Sequence, residues 1–338
     1  MKVSGMLGAD LDMAPLSIAE LEARGYDAAF SAEINNDPFF PLVLAAEHSE
    51  NIALTTSISV AFARNPMTVA NLAWDLNQYS KGRFTLGLGS QIKPHITRRF
   101  SMPWSKPAAR MREFIAAMRA IWDCWETGAK LDFNGEFYTH NLMTPMFTPS
   151  RRDYGAPGVN LAAVGPLMTE VAAEVADGMI AHGFTTAKYL REVTLPSVKR
   201  GLEKSGRKRD AFEINCPVMV ATGINEEAFA QSKAAVQSQV AFYASTPAYK
   251  PVLDLHGWGD LQVEANRMTR EGRWEEMGTL ITDEILDTLA VVSESIDAVP
   301  ALLNARYGEL IDNWQCTVET GDREQQQQLV AAVRAAGQ

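Results

Sequence analysis

Apolar positions along this chain fall into two alternating kinds of run. Short, nearly continuous apolar stretches predict strands at Lys2–Leu7, Ala28–Glu33, Ala53–Ala61, Phe84–Ser90, Val159–Gly165, Gly178–Phe184, Phe212–Thr222 and Glu309–Thr317. Helical stretches separate them at Leu16–Arg24, Pro38–Ser49, Pro66–Tyr79, Ala108–Glu126, Pro166–Ala176, Thr186–Lys204 and Glu226–Tyr243, and Asp322–Ala336 closes the chain. Asp37-Pro38, Asn65-Pro66 and Gly165-Pro166 place proline where a first helical turn tolerates it, and Gly25, Gly128 and Gly178 sit where helices should stop. A strand followed by a helix, repeated eight times with strands apolar throughout, predicts a (β/α)8 barrel in a single domain over residues 1–338.

Two stretches are longer than ordinary connections. Residues 129–157, after the fourth strand, carry a hairpin signal at Asn134-Gly135. Residues 244–280, after the seventh, mix Pro, Gly and aromatics without one period. Both are expected to be insertions, either covering the strand C-termini or packed outside the barrel.

The competing architecture, a doubly wound sheet, would need a dinucleotide loop. The best candidate, "FTLGLGSQIKPH" at 84–95, has Gly87 and Gly89 but Ile at position 92, and Pro94 opposes an immediate helix. It is a glycine-rich strand end and not a dinucleotide fingerprint.

Composition narrows the function classes. With 46% hydrophobic and 21% charged residues the 338-residue chain reads as globular. A net charge of -10 argues against a nucleic-acid partner, and no apolar run approaches the roughly 18 residues of a membrane span. Asp10 and Asp12 interrupt any leader-like start, and Cys124, Cys216 and Cys316 are too far apart for a metal or redox motif, so free thiols in a reducing cytosol are expected. The five histidines lack ligand spacing, and no metal site is expected.

In a barrel, chemistry sits at strand C-termini. The residues expected there include Gly8, Asp10, Glu33, Ser57, Gly89, Gly165 and His182. They contain no nucleophilic triad order and no strand-end lysine. They do offer exposed backbone at several adjacent strand ends, which suits a broad, flat ligand.

"TTSISVAFARNPMTVANLAWDLNQYSKGRFTLGLGSQ", "RRFSMPWSKPAARMREFIAAMRAIW", "AAVGPLMTEVAAEVADGMI" and "DEILDTLAVVSESIDAVPALL" together resemble the bacterial luciferase-like superfamily, over roughly residues 3 to 320. "AFYASTPAYKPVLDLHGWGDL" resembles the branch that uses the deazaflavin coenzyme F420, with FMN as the alternative cofactor. The resemblance implies a TIM barrel, an isoalloxazine-type ring over its mouth, and a cis Ser57–Ile58 bond under that ring. It also implies cofactor contacts from Gly89, Ser90, Arg98 or Arg99, and from the phosphate-side turn Val164, Gly165, Pro166. At that turn a helix N-terminus offers free amides. Glu33 matches an acidic position that contacts the ring. His182, at a strand end, is a candidate acid or base near neutral pH or else a structural histidine. Tyr243, Tyr249 and Trp258 are expected either to shape the substrate cavity or to pack in the core.

The implied activity is F420-dependent hydride transfer to or from a small organic substrate. An FMN-dependent monooxygenase fed by a separate reductase is the alternative, and a ligand-binding barrel without turnover the second. A homodimer is expected. Ser90-Gln91-Ile92 and Ile34-Asn35 stand where sugar-phosphate dehydrogenases of the family carry a glutamate and a histidine, so glucose 6-phosphate oxidation is not expected.

Overall fold

The computed structural model describes residues 1–151 and 153–336. Arg152, inside the expected insertion 129–157, and Gly337 and Gln338, at the end of the expected 1–338 domain, lie outside the described residues.

The strand-then-helix order is as the pattern predicts, and the fold is a (β/α)8 TIM barrel. Its strands are β1 (Lys2–Met6), β2 (Ala28–Ser31), β3 (Ala53–Thr56), β4 (Phe84–Gly89), β5 (Gly158–Ala163), β6 (Gly178–Ala181), β7 (Glu213–Cys216) and β8 (Asn313–Cys316). Each is followed by a helix, from Ala14–Ala23 after β1 to Arg323–Ala336 after β8. Among the described residues, no helix is long and apolar enough to cross a membrane.

The chain divides into two compact units, Gly5–Ile180 with Ser197–Glu213, and Met1–Ser4 with Ala181–Pro196 and Ile214–Gln338. In the first unit β2, β3, β4 and β5 run parallel, with Ala28 opposite Ala53, Leu54 opposite Phe84, and Thr85 opposite Gly158. Strands buried on both faces explain the unbroken apolar runs: Leu54, Leu86, Leu88, Val159 and Leu161 are fully buried. The helix Pro66–Tyr79 starts at Asn65, whose side chain accepts the Thr68 amide, as the Asn-Pro signal predicts. The helix Pro107–Thr127 ends at Gly128 in the left-handed conformation. Its Trp125 packs edge-on against Trp74 at 5.5 Å.

The glycines of β4 have a packing reason. Thr56 donates its hydroxyl to the Gly87 carbonyl (2.7 Å) and accepts the Gly87 amide (2.9 Å). A Cβ on Gly87 would lie 1.7 Å from the Thr56 carbonyl oxygen, and one on Gly89 would lie 2.8 Å from the Ile58 Cδ1. Both glycines therefore let β4 sit against the end of β3. Ser59–Val60 continues beside β4, with Ser59 opposite Leu88 and Val60 opposite Gly89. The Ser57–Ile58 bond between the two segments is cis, as the resemblance implies.

In the second unit β7 and β8 are parallel, with Asn215 opposite Asn313 and Cys216 opposite Trp314. The expected strand Phe212–Thr222 splits at Pro217, which cannot donate to a ladder. Its second half, Met219–Ala221, pairs in parallel with Ala290–Val292, a strand the pattern did not reveal.

Of the two insertions, 129–157 contains the expected hairpin, Phe133–Asn134 against Thr139–His140. Residues 244–280 differ from the expectation of an aperiodic segment, since they form the helices Lys250–Asp254 and Gly259–Arg270 with 3-10 turns on either side. Left-handed Gly257 and Gly272 interrupt them, so no single period spans the stretch although Ala265 and Met268 are buried. These helices pack on a core with Val240, Val252, Leu253 and Leu286.

The close approach at β4 makes a prediction. Gly87→Ala should cost more than the ~1–3 kcal/mol typical of overpacking, because backbone is in the way, or should prevent soluble folding. Gly89→Ala should fall within that range, since the Ile58 side chain can turn aside. Gly8→Ala, where a Cβ meets nothing within 4 Å, should be near neutral. Urea denaturation of the three variants measures this ranking, and an equal effect at positions 8 and 87 would refute it.

Candidate functional site

In the first unit the candidate residues sit at the ends of β2 to β5. Glu33 follows β2, and its backbone N–H donates to the Ile58 carbonyl at 3.1 Å. Its carboxylate accepts the Val60 amide (2.7 Å) and Arg64 Nη1 (2.6 Å), with only 8% of the side chain exposed. Arg64 also reaches Asp37 at 3.0 Å. Ser57 donates its amide to the Ser31 carbonyl at 2.7 Å. Glu33 and Ser31 thus grip the Ser57–Ile58 bond from both flanks. This geometry ties Glu33 to the end of β3 through both its side chain and its backbone. Arg64 was not legible as its partner, because nothing in an arginine before Asn65-Pro66 marks it as buried.

Gly89 packs against the Ile58 side chain, as described. Ser90 donates its hydroxyl to the Gln91 carbonyl at 3.1 Å, and Gln91 takes a positive φ of 58°. The two expected arginines separate. Arg99 donates to the Ile34 carbonyl at 2.6 Å and stacks over Phe100. Arg98 is exposed and, among the described residues, makes no hydrogen bond or ion pair.

Val164 and Gly165 lie between β5 and the helix Pro166–Val175. Because β5 runs parallel to β4, with Leu161 opposite Leu88, this turn and the Gly89–Ser90 turn leave neighbouring strand ends in the same direction. Gly165 is the helix N-cap, with no side-chain cap, and Pro166 stands in the first turn. A Cβ on Gly165 would meet nothing within 4 Å. Unlike Gly87 and Gly89, this glycine has no close neighbour on its Cβ side among the described residues. An uncapped, ten-residue helix with open space at its cap is able to receive an anion.

The second unit contains the aromatic group. His182, just after β6, accepts the Phe184 amide on Nδ1 at 3.0 Å, and its Nε2 lies 3.0 Å from the Tyr249 hydroxyl. The Tyr249 ring stacks on the imidazole with centroids 4.3 Å apart, and Tyr243 meets it edge-on at 4.7 Å. Burial pushes the His182 pKa down to about 4, so the imidazole is neutral near pH 7. Burial also pushes Tyr249 up to about 12. Trp258 packs against the same core, but its ring face is taken by His256, stacked at 4.8 Å. His256 in turn meets the Thr186 hydroxyl at 2.9 Å. The structure thus joins Tyr243 and Tyr249 to His182, while Trp258, on the same core, stacks on His256 instead.

The sequence model of the luciferase-like monooxygenases matches residues 7–313, and the chain belongs to that family. An uncharacterized protein of Mycobacterium tuberculosis is 53% identical over 312 residues, covering 92% of each chain. A putative coenzyme F420-dependent oxidoreductase of the same organism is 28% identical over 333 residues, covering 94% of this chain and 93% of its own. The solved coenzyme F420-dependent tetrahydromethanopterin reductase of Methanopyrus kandleri superposes with a TM-score of 0.79 at 18% identity, over 97% of this chain and 96% of its own. The chain is an enzyme of the oxidoreductase class.

The depressed His182 pKa has a consequence for stability. The unfolded chain binds the histidine proton near pH 6.5, whereas the folded chain binds it only near 4. Its contribution is therefore complete above about pH 6.5 and is lost as pH falls toward 4. His182→Asn should flatten the decline in urea midpoint between pH 7 and 4.5 relative to the parent protein. Parallel declines in the two proteins would show that His182 is not held neutral.

Proposed function

We propose that this luciferase-like enzyme is an F420-dependent oxidoreductase that moves a hydride between the deazaflavin and a small organic substrate. The observation that carries the reading is the open glycine cap at Gly165, at the head of an uncapped helix beside the β4 turn. Support also comes from the similarity to a putative F420-dependent oxidoreductase over nearly the whole chain. The deazaflavin, when bound, supplies the hydride chemistry. The rest falls to the protein: to bind, to orient and to exclude water.

The residues present fit an anionic tail. The Leu167 and Met168 amides, in the first turn beyond Gly165, face the helix N-terminus, where the dipole favours negative charge. Arg98 is the unengaged cation of the pair and can add a charge-assisted contact. Glu33 and Arg64 hold the β3 end on which the ring would rest, and the Ser57 and Ile58 backbone would face it. Cys124, Cys216 and Cys316 are buried thiols outside any disulfide, which accords with a reducing compartment, and we place the enzyme in the cytosol. The FMN-dependent monooxygenase remains the competing reading, favoured by the family's own description.

Equilibrium titration of the purified protein with F420 and with FMN separates the two. We expect F420 to bind at least tenfold more tightly, and a preference for FMN would overturn the reading. Gly165→Leu should block the tail while the thermal transition stays unchanged, because a Cβ there meets nothing within 4 Å. Arg98→Gln should weaken intact F420 by ~10- to 100-fold, the equivalent of a ~1.5–3 kcal/mol charge-assisted contact, while sparing a ring analogue that lacks the tail. Arg99→Gln should do less, since Arg99 is already bonded to the Ile34 carbonyl. Equal loss for both ligands would mean that Arg98 does not read the tail.

A further inference from the structure

Among the described residues, four other than glycine take a positive φ, and three of them, Gln91, Ser101 and Lys106, lie in one stretch between β4 and the helix Pro107–Thr127. Such backbone is costly for a residue with a Cβ and persists only where its surroundings enforce it. The same stretch carries Arg98. Its single helical turn, His95–Arg99, is pinned inward by the fully buried Ile96. The Ile96 carbonyl accepts the Met102 amide at 2.9 Å, so the turn and the residues just beyond it are tied together.

Arg110, near the start of the following helix, is the residue that grips this stretch. Its side chain is buried, with Nη1 donating to the Pro103 carbonyl at 2.6 Å and Nε donating to the Tyr138 hydroxyl at 2.8 Å. The guanidinium lies over the Phe62 ring at 4.7 Å and the Tyr138 ring at 5.6 Å. Trp104, next to Pro103, meets Phe62 edge-on at 5.7 Å. Phe62 stands in the turn that follows Ser59–Val60, the segment beside β4. Among the described residues no carboxylate pairs with Arg110. Burial raises the Tyr138 pKa, so the phenol is a neutral acceptor and not a counter-anion. A buried cation without an anion is costly, and here only a carbonyl, a phenol and two ring faces hold it. The hairpin that supplies Tyr138 is fixed in turn. Glu113 accepts the amides of Glu136, Phe137 and Tyr138 at 2.9, 2.6 and 2.6 Å, and Glu136 reaches Lys106 at 2.6 Å.

We propose that Arg110 is a positioning residue for cofactor capture and that the hairpin, residues 133–140, is its brace. Together they hold residues 91–106 in the shape that presents Arg98. The naming of the cofactor rests on the F420 reading, whereas the bracing of the loop does not. Every residue involved lies in the first unit. A loop ordered in advance spares the binding step the cost of ordering it, so Arg98 meets an anion without first losing freedom. The insertion after β4 thereby acquires a role in binding. Lysine could not replace Arg110, because one ammonium on a flexible stem neither spans both acceptors nor lies flat on a ring.

Hydrogen exchange on the full chain without cofactor tests the brace. Arg110→Lys keeps the charge, and Tyr138→Phe keeps the ring but removes the acceptor. Each should speed exchange at the Met102 amide by ~10-fold or more while leaving the Leu86 amide of β4 unchanged. Tyr138→Phe is the milder change and serves if Arg110→Lys does not fold. Unchanged exchange at Met102 in a folded variant would overturn the proposal whatever the cofactor is. Equilibrium titration with F420 and with 5-deazariboflavin, the ring without the tail, then tests positioning. Arg110→Lys should weaken F420 by ~10-fold and spare 5-deazariboflavin. In an Arg98→Gln background it should add no further loss, because it acts through Arg98. A residue that only stabilises the fold would weaken both ligands or add its loss to that of Arg98→Gln, and either result would refute the positioning role. Failure of the parent protein to bind F420 would instead defeat the functional reading, leaving hydrogen exchange to judge the brace.

Discussion

The ion pair between Glu33 and Arg64 is the constraint on which the first unit's candidate site depends. One carboxylate oxygen accepts both a guanidinium and the Val60 amide, and the same residue's N–H bonds the Ile58 carbonyl. The end of β3 is therefore tied to the end of β2 through side chain and backbone together. A buried pair of this kind is weak evidence for net stability, but losing one partner leaves an uncompensated charge, at ~3–5 kcal/mol. Its value here is geometric. It fixes where the Ser57 and Ile58 backbone stands, and β4 is then built to fit. Gly87 admits the Thr56 carbonyl, and Gly89 admits the Ile58 side chain.

That chain of fits shows what the sequence could tell. The barrel was legible because its strands are buried on both faces and its helices carry start signals such as Asn65-Pro66. The glycines of "FTLGLGSQ" were legible as close-approach positions, yet what approaches them was not. Sequence alone cannot distinguish a backbone neighbour 31 residues away (Thr56 to Gly87) from a bound ligand. The two uses separate only in three dimensions, where Gly87 and Gly89 are crowded and Gly165 is open. Likewise, Arg98 and Arg99 are adjacent and chemically identical in sequence, and only the Ile34 carbonyl tells them apart.

The second unit was harder to read for a different reason. Its extra helices are short, so each buries only a few side chains, and Gly257 and Gly272 reset the phase between them. No window long enough to show a helical period survives. Ala290–Val292 is three residues long and becomes a strand only because Met219–Ala221 lies beside it. His182 was recognisable as a strand-end histidine. Its partners were not, because the Phe184 amide two residues on reaches Nδ1 only through the local turn of the backbone.

On the proposed reading, capture of an anionic cofactor tail by a chain of net charge -10 is a contradiction only if charge is counted over the whole molecule. At physiological ionic strength exposed charges are screened beyond about 8 Å, so distant carboxylates hardly oppose an anion already at the β5 turn. What acts there is local: the amides of an uncapped helix head and the Arg98 side chain, which among the described residues makes no ion pair. Distant carboxylates would slow the approach of an anion more than they weaken its final contact. The salt-sensitive part of binding should therefore lie in association, while the grip itself comes from donors placed where the protein leaves room.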